Sequence, residues 1–352
     1  MVVRFLESCP SDIEYKLFVL SERRVDDIEI PNNIKHRISY FGSRWSIFTF
    51  AKASLIFRQM GGGVIVTSSW KAVIVLLMVR ALGIRPFHIA FTHRSTEAHI
   101  VDKILRRWQI RNADLNIADS EAAGDWVRGL VPAGMIKIIF PLFQVKAQCN
   151  KADEYLRICF VGRIAPVKNL VTIRQIIEGI GRKIGRLKFD LYGPNEGSMD
   201  EVEKLVSNCK NDSTLSGLEV QYCGPIQPSQ IHRTVSGYHF IISCSHTEGF
   251  AMSIAEAMQV GVVPIVGKVG GPANYCNLAN SILLNDYCDD NVYTTIDQVY
   301  KVWDDKIRFD RMSNAAVMTF AETSCFMAQY VKLLYNIKNS PIRKPHRTVS
   351  RH

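Results

Sequence analysis

Short apolar runs alternate with longer helical stretches along the whole of this 352-residue chain. A strand-then-helix alternation of that kind leads to parallel sheets with helices on both faces. In the first half the strand candidates are 16–20, 63–67, 87–92, 115–118 and 137–140. Helical spacing runs through 45–60, 71–82, 96–111 and 120–129, with Ser120 suited to cap the last. In the second half 157–161, 188–192, 218–223, 238–243, 262–266 and 281–284 read as strands, and 169–182, 199–209, 230–235 and 251–259 as helices. A polar stretch without periodicity, 144–154, separates the halves. The chain is long for a single core, so the fold class expected is α/β, with two Rossmann-like doubly wound domains facing a cleft. Ligands then belong at the carboxyl ends of the strands.

Composition narrows the setting. No run of 18 apolar residues occurs, and the most hydrophobic one, 73–79, is closed off by Lys71 and Arg80, which marks a buried helix rather than a membrane span. Residues 1–8 are already charged and carry no secretory pattern. Nine cysteines without a Cys-x-x-Cys pair imply a reduced, cytoplasmic protein with no structural zinc. The net charge of +10 is uneven: 1–150 hold 20 Lys and Arg against 13 Asp and Glu, 151–340 hold 19 against 20, and the tail 341–352 adds four basic residues. Much of the first excess lies between Arg44 and Arg111, interleaved with Trp45, Phe48, Phe50, Phe57, Trp70 and Trp108. Such a surface fits peripheral contact with an anionic membrane or an acceptor phosphate, and equally a solvated face with its aromatics turned inward. No nucleic-acid recognition motif accompanies the charge, so no nucleic-acid partner is expected.

The densest chemistry lies in 243–271. An apolar strand runs into a polar turn holding Glu248 and Gly249, a short helix begins near Ala251, and Glu256 follows on it. The first turn of a helix leaves N–H groups without partners and carries partial positive charge, so a diphosphate fits over Gly249, Phe250 and Ala251. Two carboxylates eight residues apart would repel phosphates and better accept hydrogen bonds from hydroxyls. A diphosphate with hydroxyls on either side describes a nucleotide sugar. Taken alone, Glu248 and Glu256 also suit an ordinary helix start with acids beside its dipole.

The full string resembles the donor-site signature of retaining glycosyltransferases of family four (glycosyl transferases group 1), which have the two-domain GT-B fold. Glu248-Gly249-Phe250, Glu256-Ala257-Met258, Gly261, the strand 262–266 and Gly270-Gly271 fill the places of that pattern, with Cys244-Ser245 where the family has Pro-Ser. Gly162-Arg163, with Lys168 five positions after the arginine, matches the family's basic loop, and in relatives the loop resembling 224–227 holds the base. The resemblance therefore implies that Arg163, Lys168, Gly249, Phe250 and Ala251 bind the donor diphosphate, Glu256 the ribose, and Gly193, Pro225 and Ile226 line the base. Glu248 and His93, the latter ending the strand 87–92, would meet the donor sugar. Asp119-Ser120 and Pro141-Leu142-Phe143 also fit family positions, without the Asn-Gly pair usual near the latter.

The implied organisation is an acceptor-side domain over 1–147, a nucleotide-sugar domain over 148–323, a helix in 324–340 crossing back to the first domain, and a basic disordered tail over 341–352. Relatives begin with a strand, a Gly-Gly loop and a long helix ahead of the strand that here is 16–20, and only 15 residues precede it. An upstream extension, a remodelled acceptor side and lost activity stay open. The function implied is transfer of a sugar, with retention at the anomeric carbon, from a nucleotide-diphosphate donor to a glycan or lipid-linked acceptor in cell-surface polysaccharide assembly. The family works mostly without a bound metal or cofactor, and this chain has no Asp-x-Asp pair. Nucleotide-sugar epimerisation or hydrolysis on the same fold, and a degenerate GT-B binding module, are the alternatives.

Overall fold

The computed structural model describes residues 10, 12–20, 32–40, 47–60, 63–93, 100–143, 145, 154–323 and 325–339. The chain begins with β1 (Leu17–Val19), the short helix α1 (Asn32–Lys35) and β2 (Ile38–Tyr40), and the two strands pair in parallel as a small sheet of their own. Helix α2 (Ile47–Gln59) leads into β3 (Val64–Thr67), α3 (Trp70–Ala81), β4 (Phe87–Thr92), α4 (Ile100–Arg111), β5 (Leu115–Ala118), α5 (Glu121–Arg128) and β6 (Ile136–Ile138). Strands β3 to β6 form a parallel sheet in chain order. Right-handed crossovers that always step the same way put α3, α4 and α5 on one face of that sheet. Ser120 caps α5, its hydroxyl accepting the Ala123 N–H at 3.3 Å.

The second half runs through β7 (Leu156–Val161), α6 (Leu170–Ile184), β8 (Leu187–Tyr192), α7 (Met199–Asn211), β9 (Leu218–Gly224), α8 (Ile231–Val235), β10 (Phe240–Ser243), α9 (Met252–Gln259), β11 (Val263–Gly267), α10 (Pro272–Tyr275), β12 (Ile282–Leu284), α11 (Asp289–Asp304) and α12 (Lys306–Thr319). Its six strands are parallel in the order β12-β11-β10-β7-β8-β9. The order reverses between β7 and β10, and that switch point leaves a crevice at the carboxyl edge. The strands are near-continuous apolar runs because helices cover both faces. On one side Ile158, Phe160, Phe189 and Leu191 pack on α6, α7 and α11, while on the other Cys159, Ile241 and Val266 meet α8 and α9.

The last helix, α13 (Phe326–Asn339), returns to the first half. Its Phe326, Met327, Tyr330 and Leu333 are buried against Ile89 and Phe91 of β4, Leu115 and Ile117 of β5, and Ile139. The N-terminal sheet is thus closed by its own helices on one face and by α13 on the other. Among the described residues β3 to β6 follow one another in chain order, and β1 and β2 pair apart from them. Residues 285–325, to which the sequence pattern assigned no element, hold α11 and α12, whose stripes Val292, Ile296, Val299 and Phe309, Met312, Ala316 are buried among charged neighbours. Residues 1–9 and 341–352, which bear on the missing first strand and the basic tail, lie outside the described residues.

Candidate functional site

At the switch point a cleft of about 380 Å³ is lined by Val161, Gly162, Arg163 and Lys168 from the β7 side, Glu248, Ala251, Met252, Ser253 and Glu256 from the β10 side, and Pro228 and Ile231. Local backbone chemistry builds each wall. After β7 the chain makes a 3-10 turn, Pro166–Lys168, and Asn169 then takes the left-handed conformation (φ 52°) while its side chain caps α6 by accepting the Thr172 N–H at 3.4 Å. Asparagine tolerates that conformation better than most residues. The His246 N–H donates to the Val167 carbonyl at 2.9 Å, which ties the loop after β10 to this turn. Lys168 and Glu248 meet as a result, and their side chains form an ion pair with relative exposures of only 15% and 13%. The Ser245 hydroxyl donates to the same Glu248 oxygen at 2.7 Å, and the Tyr287 hydroxyl holds the Ser245 carbonyl at 2.7 Å.

The opposite wall is a helix start. Ala251 is the residue before α9 and, though not glycine, sits at φ 57°. That turn sends the Phe250 ring inward, where it is 3% exposed and stacks on Phe140 with 5.3 Å between centroids. The helix therefore begins at Met252. Of Gly249, Phe250 and Ala251, on which the sequence pattern placed the diphosphate, only Ala251 lines the cleft, and Met252 and Ser253 join it. First-turn N–H groups have no acceptor within their own helix, so those of Met252 and Ser253 are the donors this wall offers. Glu256, one turn further on, also lines the cleft and is 3% exposed.

Gly249 serves a different contact. A methyl group there would come within 2.9 Å of the His93 carbonyl oxygen, so the end of β4 in the first half touches the loop after β10 in the second. His93 is itself exposed. Gly270 supports the loop from behind: it has φ +58°, and a β-carbon would lie 2.0 Å from the Glu248 carbonyl oxygen. Gly271 donates its N–H to the Gly249 carbonyl at 2.6 Å. Arg163 reaches Glu196 at 2.7 Å and keeps half its side chain exposed. Gly193 lies against Gly162, whose carbonyl oxygen would be 1.8 Å from a β-carbon, and the Tyr222 hydroxyl holds its carbonyl at 2.8 Å. Neither Gly193 nor Pro225 nor Ile226 is among the cleft-lining residues; Pro228 and Ile231, a few positions along, are. Tyr287, Met252, Ser253, Pro228 and Ile231 escaped sequence reasoning, because loop contacts between distant segments carry no periodic signal.

Two halves with parallel sheets, the end of β4 in the first touching the loop after β10 in the second, fit the GT-B class of fold. The galactosyltransferase WaaB of the lipopolysaccharide outer core superposes with a TM-score of 0.68 at 14% identity, over 96% of this chain and 94% of that one. The HepE protein of Anabaena, solved in complex with UDP and glucose, superposes with a TM-score of 0.69 at 15% identity, over 89% of each chain. Within that class, residues 144–316 match the family model described as glycosyl transferases group 1. A 2-deoxystreptamine N-acetyl-D-glucosaminyltransferase of Niallia circulans is 30% identical over 151 residues, 41% of this chain. The matched stretch spans about a third of that relative, 35% of its length.

Proposed function

We propose that the chain is a retaining glycosyltransferase of the family-four type, moving a sugar from a nucleotide-diphosphate donor to a glycan or lipid-linked acceptor. One observation carries this: two cations, an open helix start and two carboxylates from segments some 90 residues apart in sequence line one cleft at a strand-order switch point. Departure of a nucleoside diphosphate concentrates negative charge, which preorganised cations and N–H donors stabilise in the transition state. Lys168 and Arg163 supply the cations, and Met252 and Ser253 supply backbone donors, with Ala251 lining the wall beside them. Lys168 is already paired with Glu248, yet an ammonium has three N–H groups, so it can bridge that carboxylate and a phosphate oxygen. Glu248 would accept from donor-sugar hydroxyls, Glu256 from the ribose, and His93 would close the sugar side from the first half. The base would lie toward Pro228 and Ile231, with Gly193, Pro225 and Ile226 shaping the turns behind them.

That HepE was solved with UDP and glucose and that WaaB is a lipopolysaccharide galactosyltransferase supports a UDP-type donor and a polysaccharide setting, and a cytoplasmic place at a membrane face is part of the same proposal. Among the described residues no helix is long and apolar enough to cross a membrane. A thermal-shift series over UDP, GDP, ADP and their sugars tests the site, since a ligand at 100 times its Kd stabilises by about 2.7 kcal/mol. A flat response to every nucleotide would overturn the proposal. Donor consumed at full rate without acceptor would point to hydrolysis or epimerisation instead, and the anomeric configuration of the product decides retention.

A further inference from the structure

Helices α2, α3 and α4 lie side by side on the N-terminal half, and their outer surface is unusual for a solvated face. Phe48 and Leu55 of α2 are 80% and 50% exposed, Leu77 of α3 is 38% exposed, and Ile100, Val101 and Ile104 of α4 are 67%, 44% and 60% exposed. On α2 the exposed positions Phe48, Lys52, Leu55 and Gln59 follow helical spacing, so apolar and basic groups share one stripe. Of the basic residues on the three helices, Lys52, Arg58 and Arg111 are exposed, Lys71, Arg80, Lys103 and Arg107 are half-buried, and Arg106 is buried, while Asp102 is the single acid. Asp102 is buried beside Arg106, 3.9 Å away. The helices run antiparallel to the strands they follow or precede. Phe48 and Ile100 to Ile104 therefore sit toward the carboxyl edge of the sheet, the edge on which His93 touches the donor loop.

We infer that this three-helix layer is a docking surface for a bilayer containing anionic lipid, which holds the cleft mouth beside the headgroups where a lipid-linked acceptor would present its hydroxyl. The inference deepens the membrane setting of the function proposed above, but docking itself needs no turnover. Charge selects the occupant. A second copy of the chain would bring two strongly basic layers together, and a nucleic acid offers no hydrocarbon for isoleucine and phenylalanine. An anionic interface takes both, the aliphatic groups entering the acyl boundary and the basic groups staying with the headgroups. Each basic residue near acidic lipid strengthens binding about fivefold, and the attraction falls within a Debye length.

The test is co-sedimentation of the full chain with phosphatidylcholine vesicles made with and without phosphatidylglycerol, at low and high salt. Binding is expected only with phosphatidylglycerol and should weaken with salt. The Ile104→Glu variant should bind those vesicles roughly tenfold more weakly or worse, and Lys52→Glu about fivefold or more. Both positions are exposed, so the thermal midpoint and the UDP-induced shift should match wild type. Equal binding by Ile104→Glu would mean adsorption to any polyanion and overturns the inference. So does equal binding to both vesicle types, or a dimer in solution that Ile104→Glu dissolves. Absence of a UDP shift in the wild-type protein would count against the donor site alone.

Discussion

Lys168 and Glu248 form the most consequential residue pair, because each is needed both by the other and by the proposed donor. Lys168→Ala should lower nucleotide affinity at least tenfold in a titration and abolish transfer. It also strands Glu248 in a mostly buried position, with a stability cost on the order of 1–2 kcal/mol. The companion Lys168→Ala/Glu248→Gln variant should recover that stability without recovering activity. A double variant that transfers sugar normally would remove the pair from the mechanism. Ala251 is the second residue-scale feature. A left-handed non-glycine conformation costs about 1 kcal/mol or more, so Ala251→Gly should raise the unfolding free energy by up to about 1 kcal/mol in urea melts. A drop in stability there would show that the methyl group packs better than the backbone is strained. Residue types at this site were legible in sequence, as Glu248, Glu256, Arg163 and Lys168 all line the cleft. Their pairing was not, since it depends on a backbone hydrogen bond from His246 to Val167 that joins loops some 80 residues apart.

At the scale of elements, β4 and β5 carry two buried titratable groups with opposite pH behaviour. Burial holds His88 down at about 4, below its ordinary 6.5, and it bonds Thr67 at 2.8 Å in a network with Gln109 of α4. Burial pushes the Asp119 carboxyl at the end of β5 up from 3.8 to about 6, against the bond it accepts from Ser120. The unfolded chain protonates His88 first on acidification, so between pH 6.5 and 4 this group alone makes the protein less stable as pH falls. Asp119 binds its proton more tightly in the folded state, so between pH 6 and 3.8 it alone makes the protein more stable as pH falls. The two slopes nearly cancel from pH 6 to 4. Replacing Asp119 by Asn should expose the histidine slope, about 1.4 kcal/mol per pH unit, and His88→Gln should expose the opposite one. Parallel pH dependences in wild type and both variants would contradict this. Most element positions were legible from periodicity, within a residue or two for β4, β5 and β8. The start of α9 also falls within one residue of the expected position, but the left-handed Ala251 just ahead of it is a backbone choice that composition does not announce.

For the whole molecule, α13 joins the two halves by closing the exposed face of the first sheet. Leu333→Ala removes a side chain buried against that sheet and should cost about 2–4 kcal/mol, read as a lowered first transition in calorimetry. An unchanged thermogram would mean that α13 contributes little to the first half. Contacts of Gly249 with His93 and of Phe250 with Phe140 then set how the halves face each other. By itself the sequence determined the alternation of strands and helices, the Glu248 to Gly271 motif and the chemical character of the cleft, because periodicity and local spacing are properties of neighbouring residues. Only the tertiary structure decided that β3 to β6 run in chain order with α13 packed on them, that Lys168 pairs with Glu248, and that the helix start presents Ala251 to Ser253. Those outcomes depend on packing between segments far apart in the chain, where burial and backbone hydrogen bonding choose among arrangements that local patterns leave equal.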